Sequence, residues 1–147
     1  MSDILNINVA KLYVDAKLPS RKNPSDAGMD FFTYNTVIIL PNEPTVVGTG
    51  VTVQVPEGYM LLLKPKGRSE FLIGSGVVDA FYEPGEIMVR IINTKNQPLY
   101  LYKGDAIVQG ILIPVETPAI TEVSLDEVGN KSARSKKGGI HGTQTNK

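Results

Sequence analysis

The residues of this chain best equipped for chemistry lie in the stretch Gly76 to Ile87, GVVDAFYEPGEI. Asp79 follows the β-branched pair Val77 and Val78 and precedes the turn formers Glu83, Pro84 and Gly85. The acid and Tyr82 are therefore expected to project from a strand end or hairpin. A carboxylate in such a corner can take a proton from a water, and an aromatic three residues on offers a flat wall to a ligand ring. By itself, an Asp at a strand end is also a common turn former.

Four further stretches carry polar chemistry. In Lys66-Gly67-Arg68-Ser69, which follows a strand-like run, the glycine exposes backbone N–H groups while Arg68 and Ser69 are donors suited to phosphate oxygens. Ala27-Gly28-Met29-Asp30 closes a polar loop, with Asp30 expected to begin the next strand; an acid that only organises a turn fits equally well. Gln109 stands in line with Ile107, Ile111 and Ile113, either as a satisfied core or edge amide or as a ligand-facing one. The end of the chain, Arg134 to Thr143, sets three cations and three glycines around His141. That composition suits a disordered basic tail, or a flap able to close over an anion.

Composition narrows the function classes. A chain of 147 residues with 41% hydrophobic content fits one domain with a sizeable core. Fifteen Lys plus Arg balance fifteen Asp plus Glu, so there is no global basic field to draw the protein onto nucleic acid, and any phosphate binding must be local. The absence of cysteine excludes disulfides, thiolate metal sites and a Cys nucleophile, and a single histidine argues against an all-protein zinc site. The sequence carries neither a signal-peptide pattern nor a run long and apolar enough to span a membrane, so a cytoplasmic location is expected, or a host cytoplasm for a viral protein.

The elements that must position these residues are short strands. Ile4 to Val14 alternates, Lys17 to Ala27 is a polar loop with two prolines, and Thr36–Leu40, Thr45–Val55 and Tyr59–Lys64 are rich in Val, Ile, Leu and Thr between Pro-containing turns. Glu86–Asn93, Leu99–Tyr102 and Ala106–Val115 continue the series. The pattern predicts an all-β, jelly-roll-like antiparallel sandwich or barrel over residues 1–128. Leu125 to Val128 hints at a helical turn that Ser124 could cap. From Gly129 to Lys147 the composition turns to Lys, Ser, Gly, Asn and Thr, and a flexible C-terminal arm is expected.

Taken in order, Ala27-Gly28-Met29-Asp30, Gly67-Arg68-Ser69, Gly76-Val77-Val78-Asp79 through Tyr82 to Gly85-Glu86-Ile87, Gly104-Asp105 to Gln109, and the glycine-rich end resemble the five motifs of the trimeric dUTPases. The resemblance runs from Ala27 to Thr143. It implies a jelly-roll-like homotrimer with active sites at subunit interfaces, hydrolysing dUTP to dUMP and pyrophosphate with magnesium and so keeping uracil out of DNA. On this resemblance Asp79 is the general base for the water that attacks the α-phosphorus. Tyr82 packs on the deoxyribose and leaves no room for a 2'-hydroxyl, and Gly76 and Val78 belong to the hairpin whose backbone pairs with uracil. Arg68, Ser69 and Gln109 bind the triphosphate, and Asp30 reaches Mg2+ through water. In the tail, Arg134 joins Gly142 and Thr143 in covering the substrate, with His141 or Ile140 over the base.

The sequence departs from the family pattern in places. Gly67 stands where many members have Pro, Glu70 where a small residue is usual, and Pro84 adds one position to the hairpin. The tail separates Arg134 from its glycines by Ser135-Lys136-Lys137. Two other readings remain open at this level. One is a dCTP deaminase of the same fold family, although Val89-Arg90-Ile91 stands where that enzyme's Glu is expected. The other is a non-catalytic nucleotide- or protein-binding module.

Overall fold

The computed structural model describes residues 6–74, 76–80 and 85–129. Among the described residues ten strands form in order: β1 (Asn8–Lys11), β2 (Gly28–Phe32), β3 (Val37–Ile39), β4 (Thr45–Gln54), β5 (Tyr59–Pro65), β6 (Phe71–Ile73), β7 (Val77–Asp79), β8 (Glu86–Asn93), β9 (Leu99–Leu101) and β10 (Ala106–Pro114). One sheet has the order β1-β4-β8-β6, a second β2-β10-β5-β7, and β3 and β9 form a two-stranded ribbon. Every pairing within these sheets is antiparallel. The all-β sandwich expected from the short alternating runs is the architecture observed.

Alternation decides which side chains enter the core. Ile87, Val89 and Ile91 of β8 are buried while Met88 and Arg90 point outward, and Leu61 and Leu63 of β5 alternate in the same way. Together with Phe31, Val47 and Val108 they form one apolar cluster contributed by both four-stranded sheets. Close approach across the second sheet depends on Gly110, where a Cβ atom would lie 2.6 Å from the Phe31 ring and 3.1 Å from Leu61 Cδ1. Buried polar groups are satisfied: Asn93 donates to the carbonyls of Ile39 (3.0 Å) and Gln97 (2.7 Å), and Thr49 Oγ1 donates to the Ile87 carbonyl at 2.7 Å.

Some boundaries differ from the sequence expectation. β1 ends at Lys11, after which Leu12 donates its N–H to Gly50 O and the chain turns away, leaving Val14 exposed. β2 begins at Gly28, so Asp30 lies mid-strand and does not start it. β6 adds a three-residue strand beyond the expected series, paired through Leu72 with Ile92. The chain divides into two compact units, Met1–Glu116 and Thr117–Lys147. The described residues of the second include a 3-10 turn, Leu125–Glu127, at whose start the Ser124 N–H and hydroxyl both donate to the Glu127 carboxylate.

Under the turn between β9 and β10, Asp15 accepts hydrogen bonds from the Tyr34 hydroxyl (2.7 Å) and the Lys103 ammonium (3.1 Å), while that ammonium also lies over the Tyr34 ring. The Tyr34 bond, then the Lys103 bond, hold the Asp15 carboxyl below its ordinary 3.8. A lowered folded value means that this contribution to stability is fully present above pH 3.8 and is lost as pH falls through the folded value. In melts between about pH 2 and pH 5, Asp15→Asn should lose stability less steeply than the native chain on acidification. For the core, Gly110→Ala should lower unfolding free energy by about 1–3 kcal/mol in denaturant titrations. Gly67→Ala, where a Cβ would meet nothing within 4 Å, should shift it by under about 0.5 kcal/mol.

Candidate active site

Two of the polar residues singled out by the sequence, Asp30 and Gln109, lie side by side on the outer face of the second sheet. Gln109 of β10 is paired with Asp30 on one side and Lys64 on the other, so the three side chains share a row across β2, β10 and β5. This row faces away from the core because the neighbouring Val108 and Leu63 fill the inner face. The Gln109 amide lies over Gly28, where a Cβ would collide with its Oε1, and its Nε2 donates to the Pro65 carbonyl at 3.4 Å. Gly28 therefore serves less as a turn former than as the gap that lets Gln109 lie flat.

Directly after β5 the chain makes the turn Lys66–Ser69, closed by the Ser69 N–H donating to the Lys66 carbonyl at 2.9 Å. Arg68 at its tip is exposed and Ser69 is half-buried. The Lys66 ammonium reaches back 2.8 Å to Asp30 Oδ1, tying the turn to the Gln109 row. Gly67 and Glu70, the two departures in this motif, both fit: Gly67 sits in open space, and Glu70 pairs with Lys95 at 2.7 Å. An acid so engaged adds little local repulsion to a bound anion.

Asp79 occupies a different part of the same face. It ends β7 and pairs with Met60, whose position on β5 is an even number of residues from Lys64, so the carboxylate projects on the side that carries Gln109. Four residues along β5 and two strand spacings separate Asp79 from Gln109, about 13 Å along the strands and about 10 Å across them. Arg68 and Ser69 lie beyond the far end of β5. Within one chain Asp79 is thus not brought together with Gln109, Arg68 or Ser69.

Of the strand end or hairpin expected, Asp79 takes the strand end. β7 pairs with β5 in the second sheet, whereas β8 pairs with β4 and β6 in the first, so the two strands belong to different sheets. Beside them a cavity of about 710 Å³ opens, with Asp79 and Glu86 at its polar margin and Val53, Val55, Leu63 and Ile87 among its apolar walls. Glu86 is itself braced: its Oε2 accepts the Gly50 N–H at 2.8 Å and crowds the Cα of Gly48. At the start of β7, Gly76 is required by contact, since a Cβ there would strike the Leu63 carbonyl, and its own carbonyl accepts the Leu63 N–H at 2.6 Å. Val78 packs against the core from the strand's inner side. Tyr82, Arg134, His141, Gly142 and Thr143, together with Pro84 and Ile140, lie outside the described residues.

Sequence reasoning noted Lys66 only as part of a basic turn and missed its ion pair, which joins residues 36 apart in the chain. Glu86 was seen within a motif, but its brace on Gly50 depends on the pairing of β4 with β8. No group of three or more His, Cys, Asp or Glu side chains that could hold a metal occurs among the described residues. The Gln109 row carries one carboxylate, Asp30, already paired with Lys66, and a single carboxylate suits a hard cation through water more than in an all-protein cage.

Comparison with known proteins identifies the family. A family model described as dUTPase matches residues 14–141. The deoxyuridine 5'-triphosphate nucleotidohydrolase of Mycolicibacterium gilvum is 37% identical over 132 residues, covering 84% of this chain and 85% of the relative. That of Nocardia farcinica is 34% identical over 153 residues, covering 99% and 92%. Among solved structures, a Staphylococcus bacteriophage 80alpha dUTPase variant with dUpNHpp superposes with a TM-score of 0.79 at 26% identity, covering 94% of this chain and 98% of that one. A dUTPase variant from phage phi11 of S. aureus, described with a structural Mg(II) ion, gives 0.75 at 26% identity, covering 81% and 97%. The chain belongs to the dUTPase family.

Proposed function

We infer that this chain is a dUTP diphosphatase, releasing dUMP and pyrophosphate by attack of water on the α-phosphorus. What carries the reading, within a dUTPase family chain, is an acid at the rim of a cavity with apolar walls, on the same sheet face as the outward Gln109 amide. Asp79 takes the proton from the attacking water. Arg68, the Ser69 hydroxyl and the Gln109 amide aim donors at phosphate oxygens, where charge grows as the bond forms. Magnesium bound with the substrate would supply further positive charge there, with Asp30 reaching one of its waters. Tyr82 excludes a 2'-hydroxyl by contact, and the backbone from Gly76 to Val78 reads the uracil edge, where mispaired buried groups would penalise cytosine. Arg134, His141, Gly142 and Thr143 close over the bound nucleotide. A cytoplasmic location goes with this reading.

A homotrimer with sites at subunit interfaces follows from the same reading. The separation of Asp79 from Gln109 within one chain supports it, since a general base acts within hydrogen-bond reach of the reacting water. On the outward face of the first sheet Val46, Leu72 and Met88, each at least half exposed, surround Arg90 and offer a mixed surface for association. The deaminase alternative is not favoured: at the positions where its Glu is expected, Val89 and Ile91 are buried in the core of β8 and Arg90 points outward, while Glu86, the acid of that strand, accepts the Gly50 N–H.

Pyrophosphate release should be rapid from dUTP with magnesium and slow from dCTP, dTTP and UTP. Ammonia release from dCTP would instead establish a deaminase, and tight dUTP binding without turnover a binding module. Asp79→Asn should lower turnover by about 10²- to 10⁴-fold while the assembly seen by sedimentation is unchanged; native turnover in that variant would remove Asp79 from the role of base. Deleting residues 134–147 should cut turnover at least about tenfold with little change in melting temperature.

A further inference from the structure

Neither the family motifs nor the reading above employs the Lys66 ammonium, which reaches the Gln109 row from the turn after β5. It begins the turn that carries Arg68 and Ser69, yet its side chain folds back onto Asp30 at 2.8 Å. The partners are unequally exposed, the Lys66 side chain at 40% and Asp30 at 22%, so the carboxylate is the more enclosed and the ammonium keeps a face toward solvent. An ammonium has three donors, and the contact with Asp30 uses one. Asp30 in turn stands beside Gln109, whose amide is held in place by Gly28 and by the Pro65 carbonyl immediately before Lys66. A polyphosphate approaching the Arg68-Ser69 turn would therefore meet a carboxylate of like charge, were that carboxylate not already neutralised.

We propose that Lys66 is a further polyphosphate-binding residue of this site: held by Asp30 in the free protein, its ammonium contacts the β- or γ-phosphate of the bound nucleotide while still offsetting the Asp30 charge. The proposal rests on the dUTPase reading. Its physical basis is position and charge together. The Ser69-to-Lys66 hydrogen bond fixes the root of the side chain within the same turn as Arg68, and the ion pair fixes its tip above the Gln109 row. A compact ammonium with free donors at that place lets one turn present two cations to an anion whose charge exceeds what Arg68 alone can balance.

The test is titration calorimetry with the non-hydrolysable dUpNHpp and with dUMP, magnesium present, on the native chain, Lys66→Met and Lys66→Arg. Met keeps the apolar stem and removes only the charge. Lys66→Met should bind dUpNHpp about 10- to 100-fold more weakly, bind dUMP within about twofold of the native chain, and be largely rescued by Arg. In steady state the loss should appear mainly in KM. Native dUpNHpp affinity in Lys66→Met would overturn the proposal and leave the residue as a partner of Asp30 only. Equal weakening of dUpNHpp and dUMP would overturn it in favour of a structural role. A native chain that binds neither nucleotide would overturn the dUTPase reading, and this inference with it.

Discussion

The placement of β10 between β2 and β5 is the constraint on which the site depends. Its inner side must be flat enough for Phe31 to cross it, which Gly110 permits, and Val108 must fill the adjoining core. Once those two positions face inward, the period-2 geometry of a strand leaves Gln109 no choice but to face outward. The pairing register then sets Asp30 on one side of it and Lys64 on the other. A polar row on a sheet face is thus the by-product of how the core beneath it is packed. The same register makes Gly28 obligatory, because the outward amide lies where a side chain on β2 would stand.

The second organising feature is the placement of β7 and β8 in different sheets. In a plain hairpin, β7 and β8 would pair and leave no room between them. Here the cavity beside them is walled by apolar side chains from both sheets, with Asp79 and Glu86 at its edge. Glu86 is bound into the fold through the Gly50 N–H, so it is committed to structure. Asp79, by contrast, ends a short edge strand and is exposed. An apolar-walled cavity with an exposed acid at its margin is a sound setting for recognising a base and sugar.

Distance within the chain is what the proposed assembly answers. Strand geometry keeps Asp79 and Gln109 apart by several times a hydrogen bond, and no side-chain rotamer spans that gap. In the homotrimer proposed above, residues at opposite ends of one sheet face would approach one another across a subunit interface without any change in the fold.

Much of this was legible in the amino-acid sequence. The alternation of Val, Ile and Leu between Pro- and Gly-containing turns identified the strands and the all-β class, since a half-buried strand imposes a period of two on its own residues. The motif order from Asp30 through Arg68, Ser69 and Asp79 to Gln109 identified the family, because chemistry depends on residue type and those types are written in the chain. What alternation does not encode is the identity of a strand's neighbour. The three-residue β6, the mid-strand position of Asp30, the parting of β7 from β8 and the contact of Lys66 with Asp30 all follow from long-range pairing, which the sheets settle together by burying one shared core. Local sequence determined which residues could act; only the tertiary structure decided which of them meet, since that depends on contacts between segments far apart in the chain.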